Sequence, residues 1–282
     1  MKVISKIAEM TSFSKKQIAK GKVIGFVPTM GYLHEGHLSL VKQAKKECDI
    51  VIVSIFVNPT QFGPKEDLVA YPRDLERDLT LLEPIKADIV FHPEALDMYP
   101  SGFKTYVNIE DELTRRLCGA FRPVHFKGVT TIVAKLFNIV LPNNAYFGQK
   151  DAQQCAVIKK MVKDLNFPLK IIALPTVREK DGLAMSSRNI YLNPEERRSA
   201  PAIYASLLLA KKMIDKGELR AKKIIIAVKK ELNTMKNAKI QYISVVNSEN
   251  LEDLKTISGE VIIAVALKLG KTRLIDNIII SA

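Results

Sequence analysis

The chain has 282 residues, 47% of them hydrophobic and 26% charged, with a formal net charge of +13 at pH 7. That is enough for one large domain or two smaller ones around a real core, and no apolar run reaches membrane-spanning length. The excess charge lies largely in stretches such as KKMIDKGELRAKKIIIAVKKELNTMK, where Lys alternates with apolar residues as on a solvated helix face, without the aromatic interleaving or Arg clusters of a nucleic-acid surface.

Residues 1–22 interleave Lys with apolar residues at helical spacing and predict a surface helix. From Lys22 onward, strand-like runs KVIGFVP, DIVIVSIFV, ADIVFHP, NAYFG and LKIIALPTV alternate with helical stretches GHLSLVKQAKKEC, PRDLERDLTLLEPIK, FKGVTTIVAKLFNIV and DAQQCAVIKKMVKDLN. Near-continuous Val/Ile runs suit strands covered on both faces, so this rhythm predicts a Rossmann-like, doubly wound parallel α/β sheet. In such sheets ligands bind beyond the carboxyl ends of the strands. The rhythm breaks after Leu174. A polar loop over 175–200 leads into two helical segments and then the runs IQYISVVN, EVIIAVALKL and RLIDNIII, which predict a smaller C-terminal α+β domain with an antiparallel sheet. The boundary falls between 176 and 188, giving a catalytic domain over 1–176 and a lid over 177–282. Cys48, Cys118 and Cys155 are scattered and odd in number, which argues for a reducing compartment, by default the cytoplasm.

The chemistry concentrates in VPTMGYLHEGHLSLV, residues 27–41. A strand ends at Pro28, a Gly-containing turn follows, and His34 and His37 open a helix on one side of its first turn. Free backbone N–H groups and the helix dipole there favour a phosphate, and Gly36 lets the backbone approach it. Two imidazoles can donate to α-phosphate oxygens as charge develops on them. A zinc site is the competing reading, but HEGH lacks the spacing of HExxH and no matched Cys or His follows. Two histidines that merely cap the helix start are the other.

Strand, TMG turn and HxGH at a helix start resemble the nucleotidylyltransferase superfamily, and MGYLHEGH resembles its pantothenate synthetase branch. FVNPTQFGPKEDLVAYPR at 56–73, YFGQKDAQQ at 146–154 and VREKDGLAMSSRNIYL at 177–192 agree with that family in order and spacing, and RLIDN fits as well. The resemblance implies ATP binding by Met30, Gly31, Tyr32, Leu33, His34, Glu35, Gly36 and His37. It extends that role to Gly148, Gln149, Lys150 and Asp151, and to Val177, Met185, Ser186, Ser187 and Arg188. Gln61 and Gln154 are implied to bind pantoate and later β-alanine, and Asp78 to lie near Mg2+. His34, His37 and Lys150 are the implied catalytic groups, with His37 as the proton donor. Lys150 suits phosphate as a point charge, Asp151 can cap a helix, and Arg188 can clamp pyrophosphate. The segment AMSSRN stands where related enzymes carry a KMSKS-type loop, without its leading Lys, so charge on the leaving group must come from Arg188, Lys150 and a metal. Arg122 is a weaker candidate for reaching substrate, and His92 and His125 read as structural or peripheral.

The implied activity is a two-step, AMP-forming ligation of pantoate and β-alanine through a pantoyl adenylate, with ATP as substrate and Mg2+ as cofactor. The implied partners are these small molecules and a second copy of the chain in a homodimer, with no nucleic acid and no membrane. Another HxGH nucleotidylyltransferase would differ by a basic acceptor pocket in place of Gln61 and Gln154. An RNA-binding module using the basic helices is the alternative from another class.

Overall fold

The computed structural model describes residues 1–64 and 66–281; Lys65, within the second motif, and Ala282 lie outside the described residues. Six strands of the first part, β1 (Lys2–Ile4), β2 (Ile24–Thr29), β3 (Ile50–Ile55), β4 (Ile89–Phe91), β5 (Asn144–Gly148) and β6 (Lys170–Leu174), form one sheet in the order β1-β4-β3-β2-β5-β6. Every pairing in it is parallel. Helices α1 (Ile7–Ile18), α2 (Glu35–Glu47), α3 (Leu75–Leu82), α4 (Ala95–Met98), α5 (Cys118–Phe121), α6 (His125–Val140) and α7 (Ala152–Asp164) accompany it.

The strands alternate in what they bury. Phe26, Ile52, Ala145 and Phe147 join Met10 of α1, Phe137 of α6 and Ile158 of α7 on one face. Val27, Val51, Val53 and Tyr146 join Leu40, Val41 and Ala44 of α2 and Leu82 of α3 on the other. Both faces are therefore covered, which is why the strands read as continuous apolar runs. The order reverses between β2 and β5, so the carboxyl ends of these neighbours open a crevice at the switch point. The first 22 residues, expected as one helix, are not helical throughout, because Lys2–Ile4 pair with Ile89–Phe91 as an edge strand before α1 begins.

After β6 come α8 (Pro194–Ser199), α9 (Ala202–Asp215) and α10 (Ala221–Leu232), then β7 (Ala238–Asn247), β8 (Glu260–Leu269) and β9 (Thr272–Ser281) in an antiparallel sheet. Along β8, Val261, Ile263, Val265, Leu267 and Leu269 pack with Leu207 of α9 and Ile224 and Val228 of α10. The intervening Ile262 and Ala264 pack with Leu113, Leu117, Phe126 and Val157 of the first part. Strand alternation thus joins the small sheet to its own helices and to the large domain at once. Among the described residues no helix is long and apolar enough to cross a membrane.

A buried ion pair ties the loop after β6 to this sheet. Arg178 holds both carboxylate oxygens of Asp276, at 2.6 and 3.0 Å, and its guanidinium lies 3.5 Å from the centre of the Tyr204 ring. Asp276 is only 4% exposed. Arg178→Leu would leave that carboxylate buried without its partner, a loss of about 3–5 kcal/mol. Thermal unfolding should show a clearly lowered midpoint, and Arg178→Leu/Asp276→Leu should recover part of it. A single variant as stable as the parent would mean that the pair contributes nothing.

Candidate active site

The turn that delivers the two histidines is pinned from three sides. Thr29 Oγ1 donates to the Ser54 carbonyl at 2.7 Å and accepts from Gly31 N–H at 3.1 Å. Gly31 has φ +79°, and a Cβ there would lie 2.9 Å from Ile55 Cγ2, so only glycine fits. Asp78, reaching over from α3, accepts from Tyr32 N–H and Leu33 N–H, each at 2.7 Å.

The histidines then cap α2 with each other's backbone. Gly36 N–H donates to His34 Nδ1 at 3.1 Å, and His34 N–H donates to His37 Nδ1 at 3.3 Å. A ring whose Nδ1 accepts a backbone proton carries its own proton on Nε2 when neutral. Burial first, then the neighbouring His37 and Lys150, lower the pKa of His34 to about 2. Burial and Lys150 lower that of His37 to about 4. Both rings are therefore neutral Nε2–H donors at physiological pH, with centroids 4.1 Å apart. Gly36 makes room for this ring, because a Cβ would lie 2.8 Å from His34 Cε1 and push it aside.

Lys150 follows β5 in a 3-10 turn, and its ammonium pairs with no carboxylate among the described residues. The turn itself is held from β9: Asn277 Nδ2 donates to the Gln149 and Lys150 carbonyls at 3.0 and 2.9 Å. After β3, Asn58 orients Gln61. Its Nδ2 donates to Gln61 Oε1 and to the Gly128 carbonyl, both at 3.1 Å, while its Oδ1 accepts from Tyr99 and Thr60 hydroxyls. Gln61 Nε2 is left facing Met30 Sδ, 3.0 Å away. Gly128 makes this packing possible, since a Cβ would come within 2.4 Å of the Thr60 carbonyl oxygen. The 177–192 loop lies across the opening, with Ser187 Oγ donating to the Tyr32 carbonyl and Arg188 forming two bonds to Asp67.

These elements enclose a cleft of about 230 Å3. His34, Gly36, His37 and Met30 line it from the first motif, Gln61 from the second, Gly148, Lys150, Asp151 and Gln154 from the third, and Val177, Met185, Ser186, Ser187 and Arg188 from the loop. Val129, Ile132, Val133 and Leu136 of α6 supply an apolar wall. The remaining expected positions lie outside the lining. Leu33 is core, Glu35 is exposed and bonded to Lys42, and the Tyr32 ring packs under Arg77. Gly31 serves the turn, and Gln149 contributes its carbonyl to Asn277.

A family described as pantoate-beta-alanine ligase matches residues 2–279. A pantothenate synthetase of Acetivibrio thermocellus is 59% identical over 280 residues, 99% of either chain, and one of Fervidobacterium nodosum is 57% identical over the full length of both. The chain belongs to the pantoate–β-alanine ligase family. Among solved structures, pantothenate synthetase from Thermus thermophilus superimposes with a TM-score of 0.94 at 44% identity, covering 99% of each chain. Pantoate–β-alanine ligase from Francisella tularensis, complexed with "Beta-gamma ATP and Beta-alanine", gives 0.80 at 38% identity and covers 99% of this chain and 97% of its own.

Within this family member, the expected metal role of Asp78 meets a physical obstacle. Its carboxylate is fully buried, burial raises its pKa, and both oxygens are occupied by the backbone of the histidine turn. Among the described residues no three His, Cys, Asp or Glu side chains gather as a metal site. The lone buried carboxylate of Asp78 anchors the histidine turn and is not a resident Mg2+ site by itself. Two residues at the cleft act through partners too far along the chain for a local pattern to show. Asn58 sits in a quoted motif but reveals its role only through Gly128, 70 positions on. His125, read as structural or peripheral, lines the cleft. It accepts from Arg122 at Nε2 (3.1 Å) and donates from Nδ1 to the Gln61 carbonyl (3.0 Å), and Arg122 is itself bonded to Glu66.

Imidazole NMR should show His34 and His37 as Nε2–H tautomers with no titration between pH 8 and pH 5. The sign follows from the lowered values: an unfolded histidine binds its proton near pH 6.5 and the folded ones do not. These two rings therefore favour the folded state least at acid pH, and their contribution to stability recovers as pH rises toward 6.5. Titration of either ring near 6.5 would contradict the neutral pair.

Proposed function

We propose that this chain condenses pantoate with β-alanine in two steps, through a pantoyl adenylate formed at the expense of ATP. The observation that carries this reading is the pair of neutral imidazoles, each with Nδ1 capped and Nε2–H free, at a helix N-terminus that shares a cleft with Lys150.

In the first step a pantoate carboxylate oxygen attacks the α-phosphorus, and the bond to the bridging oxygen breaks so that pyrophosphate departs with the electron pair. A carboxylate is already ionised at neutral pH, so no general base is needed. Alignment and neutralisation of developing charge suffice. The lowered pKa values revise the role of His37. A ring with a pKa of about 4 acts as a hydrogen-bond donor to the phosphorane oxygens, together with His34 and the free N–H groups of α2, rather than transferring its proton. Lys150 offsets phosphate charge. Mg2+ enters with ATP, as part of the nucleotide substrate rather than on a protein ligand set. In the second step the neutral β-alanine amine attacks the acyl carbon. The bond from that carbon to the phosphate oxygen breaks so that AMP leaves with the electron pair, and the surplus proton on nitrogen passes to solvent.

Gln61 and Gln154 line the same cleft, and neutral amides can pair with pantoate hydroxyls and carboxylate without burying another charge. We take residues 1–176 as the catalytic domain and 177–282 as the lid that excludes water from the adenylate. Family membership supports a homodimer working in the cytoplasm.

Pyrophosphate should exchange into ATP with pantoate present and β-alanine absent, and AMP should form with pantothenate. Exchange that required β-alanine, or release of ADP and phosphate, would replace the adenylate route with another. Gln61→Glu tests the acyl pocket. Asn58 Nδ2 would still hold one oxygen, placing the new charge where Nε2 now faces the cleft. Pantoate use should fall by about two orders of magnitude while ATP affinity changes little. Unchanged pantoate kinetics would remove Gln61 from the pocket.

A further inference from the structure

A second chamber, of about 340 Å3, opens between the two domains and shares Arg122, Lys150, Asp151, Ser186 and Arg188 with the catalytic cleft. Its far wall is the β8–β9 hairpin, which contributes Lys268, Lys271 and Arg273. Lys268 and Arg273 are cross-strand partners, so their side chains rise from one face of the sheet. It is the face that carries Ile262, Ala264 and Ile275 toward the large domain.

The charges in this chamber are unevenly matched. Glu66 is paired with Arg122, Asp67 with Arg188 and Asp276 with Arg178. Lys150, Lys268, Lys271 and Arg273 pair with no carboxylate among the described residues, and Arg273 is instead oriented by Gln241 Oε1 at 2.8 Å and Cys118 Sγ at 3.2 Å. Against these four cations stands the Asp151 carboxylate. A partly enclosed space with surplus cations and low-dielectric walls concentrates a multivalent anion. Adenylation makes one, and its departure begins beside Lys150 and Arg188, the residues common to both spaces.

We propose that this chamber is a pyrophosphate site, in which Lys268, Lys271 and Arg273 of the C-terminal hairpin receive the diphosphate after it separates from the adenylate. The inference rests on the adenylate reading above. The chemistry recognised is a diphosphate, which reaches the site either as the free product or as the tail of bound ATP. Release is favoured because the hairpin cations stand across the chamber from the catalytic groups rather than among them: neither Lys268, Lys271 nor Arg273 lines the cleft that holds His34 and His37.

The test is pantoate-dependent ATP–pyrophosphate exchange in the full chain, with pyrophosphate and ATP titrated separately. Lys268→Gln/Lys271→Gln should raise the KM for pyrophosphate, and its inhibition constant in the forward direction, about tenfold, the effect of about 1.4 kcal/mol. The KM values for ATP and pantoate should stay within about twofold. Lys268→Arg/Lys271→Arg keeps the charge and should restore pyrophosphate affinity, which separates loss of the site from misfolding. Lys229→Gln/Lys230→Gln, on the exposed side of α10, removes the same net charge elsewhere and should leave pyrophosphate kinetics alone. The proposal is overturned by unchanged pyrophosphate constants in the hairpin variant, or by an equal shift in the α10 variant, which would reduce the effect to overall charge. An equal rise in the KM for ATP would also overturn it, by placing the ATP tail there before reaction. If the parent protein shows no pantoate-dependent exchange at all, the adenylate reading fails first, and that result is distinct from each of these.

Discussion

The carboxylate of Asp78 accepts the backbone N–H groups of Tyr32 and Leu33 from within a fully buried position. Gly31 takes φ +79° freely, but Tyr32 at φ +49° makes this turn costly unless something outside it holds it. The grip sets where α2 begins, and the start of α2 sets where the imidazoles stand. A carboxylate that looks like a surface group of an amphipathic helix therefore sets where both histidines stand in the cleft.

The imidazole pair shows how a helix terminus can be satisfied by the groups that line the cleft. Ordinary caps are Ser, Thr, Asp or Asn. Here Nδ1 of each histidine does that work, and the opposite nitrogen of each ring is left as a donor of fixed direction. The same contacts set capping and tautomer, while burial, reinforced by Lys150, sets neutrality. Donors already oriented before substrate arrives need little reorganisation as charge builds on the phosphate.

Much of this was legible in the residues. The Val/Ile runs of β2, β3 and β5 and the change of rhythm after Leu174 gave the two sheets, because burial on both faces leaves a continuous apolar run. β1 was not legible: three residues, one of them Lys, lack the length to stand out from the helix that follows, and only pairing with β4 makes them a strand. The motifs pointed to a cleft, yet not to which side chains face it. Leu33 and Glu35 belong to the same string as His34 and His37 and point to the core and to solvent. Asp78, Asn58 and His125 act through partners 45, 70 and 64 positions away, distances at which a local pattern carries no information.

The hold of Asn277 on the Gln149 and Lys150 carbonyls has a temporal meaning. Every residue that lines the cleft precedes β9 in the chain, so during synthesis the large domain can assemble its sheet, its histidine turn and its glutamine while the lysine turn still lacks its anchor. Domains form as units, N-terminal part first. The turn carrying Lys150 is therefore secured only when the strand carrying Asp276 and Asn277 has emerged and docked, and with it the loop that Arg178 tethers. A nascent chain thus has most of the cleft lining before the Lys150 turn is fixed, and the finished cleft comes with the closing strand of the small sheet rather than with the fold of the large one.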